Sequence, residues 1–226
     1  NSKDQSYVLY TLTQQELSRL KFPVGEYNKE DIRKIAEDAG LLVADKPDSQ
    51  EICFIPSGNY RDFVKERVKP KKGNFVDLNG DVLGEHPGIQ FFTVGQRRKL
   101  GINPNDGEPR YVVKINSDTN EVVLGADEDL METEFTANKL SFTSEAEIGC
   151  EIEVKARIRY KANEESAVVV IKDGYADIKF LEPQRAITPG QPVVFYRGEE
   201  MIGGGIIEDL KVDSSPSKAT SVVAIS

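Results

Sequence analysis

The sequence predicts an α+β fold that is mainly β. Two observations predict it. Up to about residue 68 the apolar residues recur at helical spacing, and from about residue 73 they alternate with period two. Turn signals at Asn79-Gly80, Lys172-Asp173-Gly174 and Arg197-Gly198 then cut the remainder into short strands.

The helices come first. Thr13-Gln14-Gln15-Glu16 has the form of a capping box ahead of Leu17 and Leu20, and Phe22-Pro23-Val24-Gly25 breaks that helix. Asn28 predicts the cap of a second helix over 29–39, with Ile32, Ile35 and Ala36 on one face and Gly40 as its stop. Residues 41–44 are a short apolar strand candidate. A third helix is expected over 59–68, capped by Ser57 and ended by Pro70.

Strands follow at 74–78 and 81–84, joined by Asn79-Gly80 as a two-residue hairpin, and at 90–94, 110–115 and 121–124. Residues 95–109, rich in Gly, Pro and Asn, read as a long loop, a class of segment that is often functional. An acidic stretch over 126–132 marks a domain boundary. Beyond it, strands are expected at 137–142, 151–160, 166–171, 175–180, 192–196 and 200–207, which suits a small barrel or a sandwich. Gly203-Gly204-Gly205 falls inside the last of these and points to a bulge or a close backbone approach. No helix carrying Lys-Ser/Thr follows it, so it is not a phosphate loop. Residues 213–226 read as a flexible tail.

Composition narrows the function. The 226 residues are 38% hydrophobic and 30% charged, with net charge −9. No apolar run approaches the roughly 18 residues of a membrane span. The first residues, Asn1-Ser2-Lys3-Asp4-Gln5, are not a signal peptide and lack an initiator Met, so a fragment of a longer protein is expected. Cys53 and Cys150 show no pairing pattern, which makes a reducing cytosol the simplest setting. His86 is the only histidine, so zinc spacing is excluded, and its turn-like setting makes it a poor catalytic candidate. An acidic chain is not a general nucleic-acid coat, but three basic clusters leave room for a confined polyanion path. Residues 61–72 carry six basic and two acidic side chains; residues 155–161 carry four basic and none acidic; Arg97-Arg98-Lys99 is the third cluster. Each taken singly also reads as a solvated face.

The segment Asp48-Ser49-Gln50-Glu51-Ile52-Cys53-Phe54-Ile55-Pro56 is the most informative. If extended, it turns Ile52 and Phe54 toward the core and Glu51, Cys53 and Ile55 the other way. Cys53 is then placed for chemistry, or is the small buried hydrophobe that a cysteine commonly is.

Several segments, in order, resemble the C-terminal part of the tRNA-specific 2-thiouridylase family. They are Lys3-Asp4-Gln5-Ser6-Tyr7-Val8-Leu9-Tyr10, Phe22-Pro23-Val24-Gly25, Arg33-Lys34-Ile35-Ala36 and the Cys53 segment. They continue with Gly84-Glu85-His86-Pro87-Gly88, Thr93-Val94-Gly95-Gln96-Arg97, Thr188-Pro189-Gly190-Gln191, Val194-Phe195-Tyr196 and Gly203-Gly204-Gly205-Ile206-Ile207. The resemblance implies a tRNA sulfurtransferase. ATP, with Mg2+, adenylates the C2 oxygen of the wobble uridine, a cysteine persulfide supplies sulfur, and AMP leaves. A second cysteine is implied to release the sulfur, as sulfide or by forming a disulfide. Cys53 matches the persulfide carrier. Lys3, Asp4 and Gln5, with Arg159, Tyr160 and Gln191, match tRNA contacts. The implied partners are tRNA and a persulfide sulfur donor or relay protein, with no membrane and a cytoplasmic location.

The resemblance also implies three parts. Residues 1–66 would be the helical end of an α/β catalytic domain of the PP-loop ATP pyrophosphatase type. Residues 67–128 would be a small central β-rich domain, and 129–212 a six-stranded antiparallel β-barrel. The family's nucleotide loop and first catalytic cysteine are absent, so the chain alone is expected to be inactive, and Cys150, in the barrel region, does not replace that cysteine. Asp48 and Glu51 oppose a thiolate on Cys53, so activating charge must come from elsewhere. The alternatives are a non-catalytic tRNA-docking module and a protein-interaction barrel.

Overall fold

A computed structural model describes residues 5–44, 60–102, 108–143 and 148–208. The Cys53 segment, the Ser57 cap, Lys3, Asp4 and the 213–226 tail lie outside the described residues. The chain divides into two units, residues 15–69 and the combination of residues 1–14 with 70–226.

The 15–69 unit is helical. It holds most of α1 (Gln14–Leu17), together with α2 (Lys29–Asp38) and α3 (Tyr60–Arg67). Asn28 caps α2 as its sequence demands, its side chain accepting from the Glu30 and Asp31 amides at 3.0 Å each. Gly40, at φ 67°, ends it. Its amide donates to the Glu37 carbonyl and that of Leu41 to the Ala36 carbonyl, the paired bonds of a Schellman stop. Residues 41–44 are not a strand. They form a turn closed by Ala44 N–H on the Leu41 carbonyl, with Leu42 fully exposed. An apolar run makes a strand only where a partner edge meets it. Phe22, Val24, Ile35 and Val43 are each at least half exposed.

In the larger unit, β1 (Gly73–Val76), β2 (Val82–His86), β3 (Tyr111–Asn116) and β4 (Glu121–Gly125) form a sheet in the order β2-β1-β4-β3. The β1–β4 pair is parallel and the other two are antiparallel. The β1–β2 hairpin is not the expected two-residue turn. Asp77 N–H donates to the Asp81 carbonyl, and the Asp77 carboxylate accepts from the Asn79 and Asp81 amides at 2.9 Å each. That side-chain competition for backbone donors lengthens the loop. Residues 90–94 are not a strand either. Ile89–Phe91 is a 3-10 turn. It buries the successive residues Phe91 and Phe92 together, which an alternating strand places on opposite faces.

His86 belongs to that core. It is 1% exposed, its ring lies edge-on to Phe75 at 5.2 Å and Phe92 at 5.4 Å, and its Nδ1 accepts from the Gly88 amide at 3.1 Å. Burial holds its pKa below the ordinary 6.5, against a smaller opposing effect of the Asn120 backbone. Between that lowered value and 6.5 the unfolded chain binds more protons than the folded one, so stability rises with pH there and levels off above. The urea midpoint should fall on acidification below pH 6.5. His86→Gln should flatten that part of the curve; an unchanged slope in the variant would refute the assignment.

The rest closes into a barrel of β5 (Met131–Phe142), β6 (Glu151–Arg157), β7 (Glu165–Ile171), β8 (Tyr175–Arg185), β9 (Pro192–Arg197) and β10 (Glu200–Glu208). The order is β10-β5-β8-β7-β6-β9, every neighbour antiparallel. The fold is thus α+β, mainly β, with the expected six-stranded barrel. Its interior is filled by alternating residues such as Phe135, Val169, Ile178, Phe180 and Phe195. β5 begins six residues earlier than the pattern predicts and β8 runs five residues further, because the two pair with each other along that length, with a register shift between Glu132 and Glu134. β6 stops at Arg157, short of Tyr160, where the chain turns with Ala162 N–H on the Arg159 carbonyl.

Candidate nucleic-acid interface

The candidate site is built where the first described residues lie against the barrel wall. Residues 6–8 make a 3-10 turn, and Gln5, itself exposed, supplies the carbonyl that accepts the Val8 amide at 3.1 Å. Tyr7 and Tyr10, three apart on this turn, bury against Val194 and Tyr196 of β9. The Tyr7 hydroxyl donates to the Pro192 carbonyl at 2.7 Å, and the Ser6 and Tyr196 hydroxyls share a bond of 3.2 Å. Burial first, then the neighbouring Tyr10 and Tyr196 hydroxyls, pushes the Tyr7 hydroxyl far above its ordinary 10.0. Like any phenol it is a protonated donor at neutral pH, and the shift extends that state into alkaline solution. Gly204 shows why the glycine run is there. A Cβ on it would lie 2.6 Å from the Tyr10 ring and 2.5 Å from the Val193 carbonyl oxygen, so the bare backbone lets the aromatic ring lie on the strand.

Tyr160, 40% exposed, sets its ring edge against Tyr7 at 6.4 Å and 65°. Gln191, half-buried, immediately precedes the Pro192 that receives the Tyr7 hydroxyl. Its amide donates to the Thr188 carbonyl, and its own carbonyl accepts the Ile207 amide. Three of the expected contacts, Gln5, Tyr160 and Gln191, therefore gather around one tyrosine.

Arg159 is placed differently. Its guanidinium donates to the Arg185 carbonyl, and its Nε is buried with no hydrogen-bond partner among the described residues. Arg185 in turn holds Asp127 at 2.7 Å and lies 5.3 Å from the centre of the Tyr111 ring. Arg157 is bound to Glu164 at 2.5 Å and covers Tyr196 at 5.2 Å. Lys155 donates to Ser166 at 2.9 Å. Arg157 and Arg159 are thus committed to the fold and only partly exposed, while Lys155, Tyr160 and Lys161 are exposed.

No site role was expected from sequence for Tyr7, Tyr196 or Arg157. The signal for Tyr7 was the pair Tyr7 and Tyr10 at one-turn spacing directly after Lys3-Asp4-Gln5. Cys150 is exposed at the start of β6, not packed in the barrel.

The glycine run does not form a phosphate cradle. The glycine run lies in β10, and the space above it is taken by the Ser141, Val193 and Asn138 carbonyls and by Tyr10. Among the described residues no group of three or more His, Cys, Asp and Glu side chains is placed to hold a metal ion.

Comparison with known proteins is consistent along the chain. Residues 1–57 match the "tRNA methyl transferase HUP domain", 61–126 the "tRNA methyl transferase PRC-barrel domain", and 132–207 the "Aminomethyltransferase beta-barrel domain". The chain is 52% identical over 211 residues to a tRNA-specific 2-thiouridylase from Carboxydothermus hydrogenoformans. It is 50% identical over 210 residues to one from Lachnoclostridium phytofermentans. Both alignments cover 91% of this chain but only 57% and 58% of the relatives, so the chain spans somewhat over half their length.

Proposed function

The chain belongs to the tRNA-specific 2-thiouridylase family, and on that premise we propose that it is the sulfur-carrying and tRNA-docking part of a tRNA thiolase. Cys53 carries sulfane sulfur as a persulfide. The outer persulfide sulfur attacks C2 of the wobble uridine, whose oxygen the complete enzyme has adenylated with ATP and Mg2+, and AMP leaves. A second cysteine of the complete enzyme then attacks the Cys53 sulfur, so that the S–S bond to the transferred sulfur breaks and a disulfide with Cys53 forms. The transferred sulfur stays on the uridine, and an external thiol then reduces that disulfide. The glycine run offers no phosphate cradle, and in this reading ATP chemistry belongs to the length of the relatives that this chain does not span. A persulfide donor or relay protein loads Cys53, and the enzyme works in the cytoplasm. Residues 1–66 close the catalytic domain, 67–128 form the central domain and 129–212 the barrel.

The observation that supports docking is the gathering of Gln5, Tyr160 and Gln191 around Tyr7 on the barrel wall. Lys3 and Asp4 reach tRNA from the start of the same segment. Tyr160 offers a ring face for stacking or a hydroxyl for a phosphate, as exposed aromatics in RNA-binding sites do. Arg159 serves this reading by fixing the turn that presents Tyr160, through its bond to the Arg185 carbonyl.

Titration of unmodified tRNA with the complete enzyme tests it. Tyr160→Ala should weaken binding by about 1 kcal/mol or more, roughly fivefold, with the salt dependence of the remaining phosphate contacts retained. Unchanged affinity would remove Tyr160 from the interface. Absence of tRNA binding altogether would favour a protein-interaction barrel.

A further inference from the structure

Arg97, Arg98 and Lys99 are the exposed tip of a loop that the docking surface around Tyr7 does not use. Charge is segregated there. The twenty residues from His86 to Asn105 contain no Asp or Glu, although 38 of 226 residues in the chain are acidic. A chain of net charge −9 repels a polyanion except where cations are concentrated and acids are absent.

The loop is fastened at its base. The Gly95 amide donates to the Val112 carbonyl at 2.8 Å, and the Val112 amide returns a bond to the Gln96 carbonyl at 2.9 Å. The Gln96 side chain accepts from the Thr93 amide at 3.2 Å and donates to the Arg98 carbonyl at 2.9 Å. Leu100 is buried just past the tip, and Lys99, at φ 62°, turns the backbone between them. The three cations are therefore held out from the surface by a fixed backbone.

Position links this tip to the docking site. A Cβ on Gly95 would lie 3.1 Å from Ala186 Cβ and 3.4 Å from Arg185 Nη1. Arg185 supplies the carbonyl that holds Arg159, the neighbour of Tyr160. The loop base and the Tyr160 turn rest on the same end of β8.

We infer that the 95–101 loop is a second tRNA contact, in which Arg97 and Arg98 grip backbone phosphates beside the surface that Tyr160 marks; this rests on the tRNA-docking reading above. Arginine suits the role because its planar fork meets two phosphate oxygens at once. Phosphate contacts position a nucleic acid without reading its bases, so the loop adds affinity and orientation and not the choice of tRNA.

The test is equilibrium binding of unmodified tRNA to the complete enzyme across a salt series. The double variant Arg97→Gln/Arg98→Gln is compared with Lys172→Gln at the opposite end of β8. The double variant should bind about tenfold more weakly, and its slope of log affinity against log salt should fall by about 2. Lys172→Gln should leave both unchanged. In the wild type, amide exchange across 95–101 should slow on adding tRNA, a readout that does not depend on the variant's folding. Wild-type binding by the double variant, with no slowing of exchange, overturns the loop contact and leaves the docking reading standing. An equal loss in Lys172→Gln also overturns it, by showing a bulk charge effect. A wild-type enzyme that binds no tRNA overturns both readings.

Discussion

Replacing Cys53 by serine in the complete enzyme should abolish thiolation while leaving tRNA affinity at the wild-type level. Sulfur transfer of the proposed kind needs a side chain that holds a second sulfur atom through an S–S bond. A serine oxygen is close in size but does not carry sulfane sulfur, so no residual pathway runs through position 53. The expected loss is therefore to background and not a partial reduction. Retardation of the product tRNA in an organomercury gel reads thiolation directly. It also separates it from methylation, the chemistry named in two of the domain descriptions that this chain matches. Retained thiolation in Cys53→Ser would sink the carrier role. Reduced tRNA affinity with normal turnover of bound tRNA would make Cys53 a packing residue. The acidic neighbours Asp48 and Glu51 add a second expectation: neutralising them as amides should favour the thiolate and speed alkylation of Cys53.

Tyr7→Ala should undock the first segment from the barrel. The tyrosine is 5% exposed, sits among Tyr10, Val194 and Tyr196, and bonds the Pro192 carbonyl. Truncating an aromatic side chain packed this way costs about 3–5 kcal/mol. The barrel interior is a separate cluster that does not include Tyr7, so the loss should be local. Amide exchange at Val8, Leu9 and Leu12 should accelerate by about a hundredfold or more, with the global urea midpoint little changed. Tyr7→Phe removes only the hydroxyl bond, for about 1 kcal/mol. Because Gln5 precedes this turn and Tyr160 leans on its ring, tRNA affinity should fall in the alanine variant and largely survive in the phenylalanine one. Unchanged exchange in Tyr7→Ala would show that the segment is held by something other than this ring.

Much of this was legible residue by residue. Asn28 and Gly40 bound α2 through local hydrogen bonding that needs no distant partner. The period-two pattern after residue 73 gave the six barrel strands, since one face of each must meet a common interior. The glycine run announced a close approach, and Tyr10 on Gly204 is that approach. Where local sequence failed, a distant or competing group decided. Residues 41–44 lacked a partner edge; Asp77 drew the hairpin loop out; Phe91 and Phe92 were buried together by a 3-10 turn. β5 and β8 were lengthened by pairing with each other across more than forty residues of sequence.

For the candidate site the division is the same. By itself the sequence determined the segments and their order, and with them the family and the residue types available for sulfur and RNA chemistry. It also set the charge balance, which confines any polyanion contact to a few acid-free stretches. Only the tertiary structure decided which of those cations are available. Arg157 and Arg159 fall in one basic cluster of the sequence, and Arg159 was expected at a phosphate, yet Glu164 and the Arg185 carbonyl, brought close by the chain turn after β6 and the far end of β8, take them up. Arg97 and Arg98 stay exposed because their loop is fastened at its base by backbone bonds to Val112 of β3. A charge counts for binding only when no nearer partner neutralises it, and which partners are near is a property of the closed barrel.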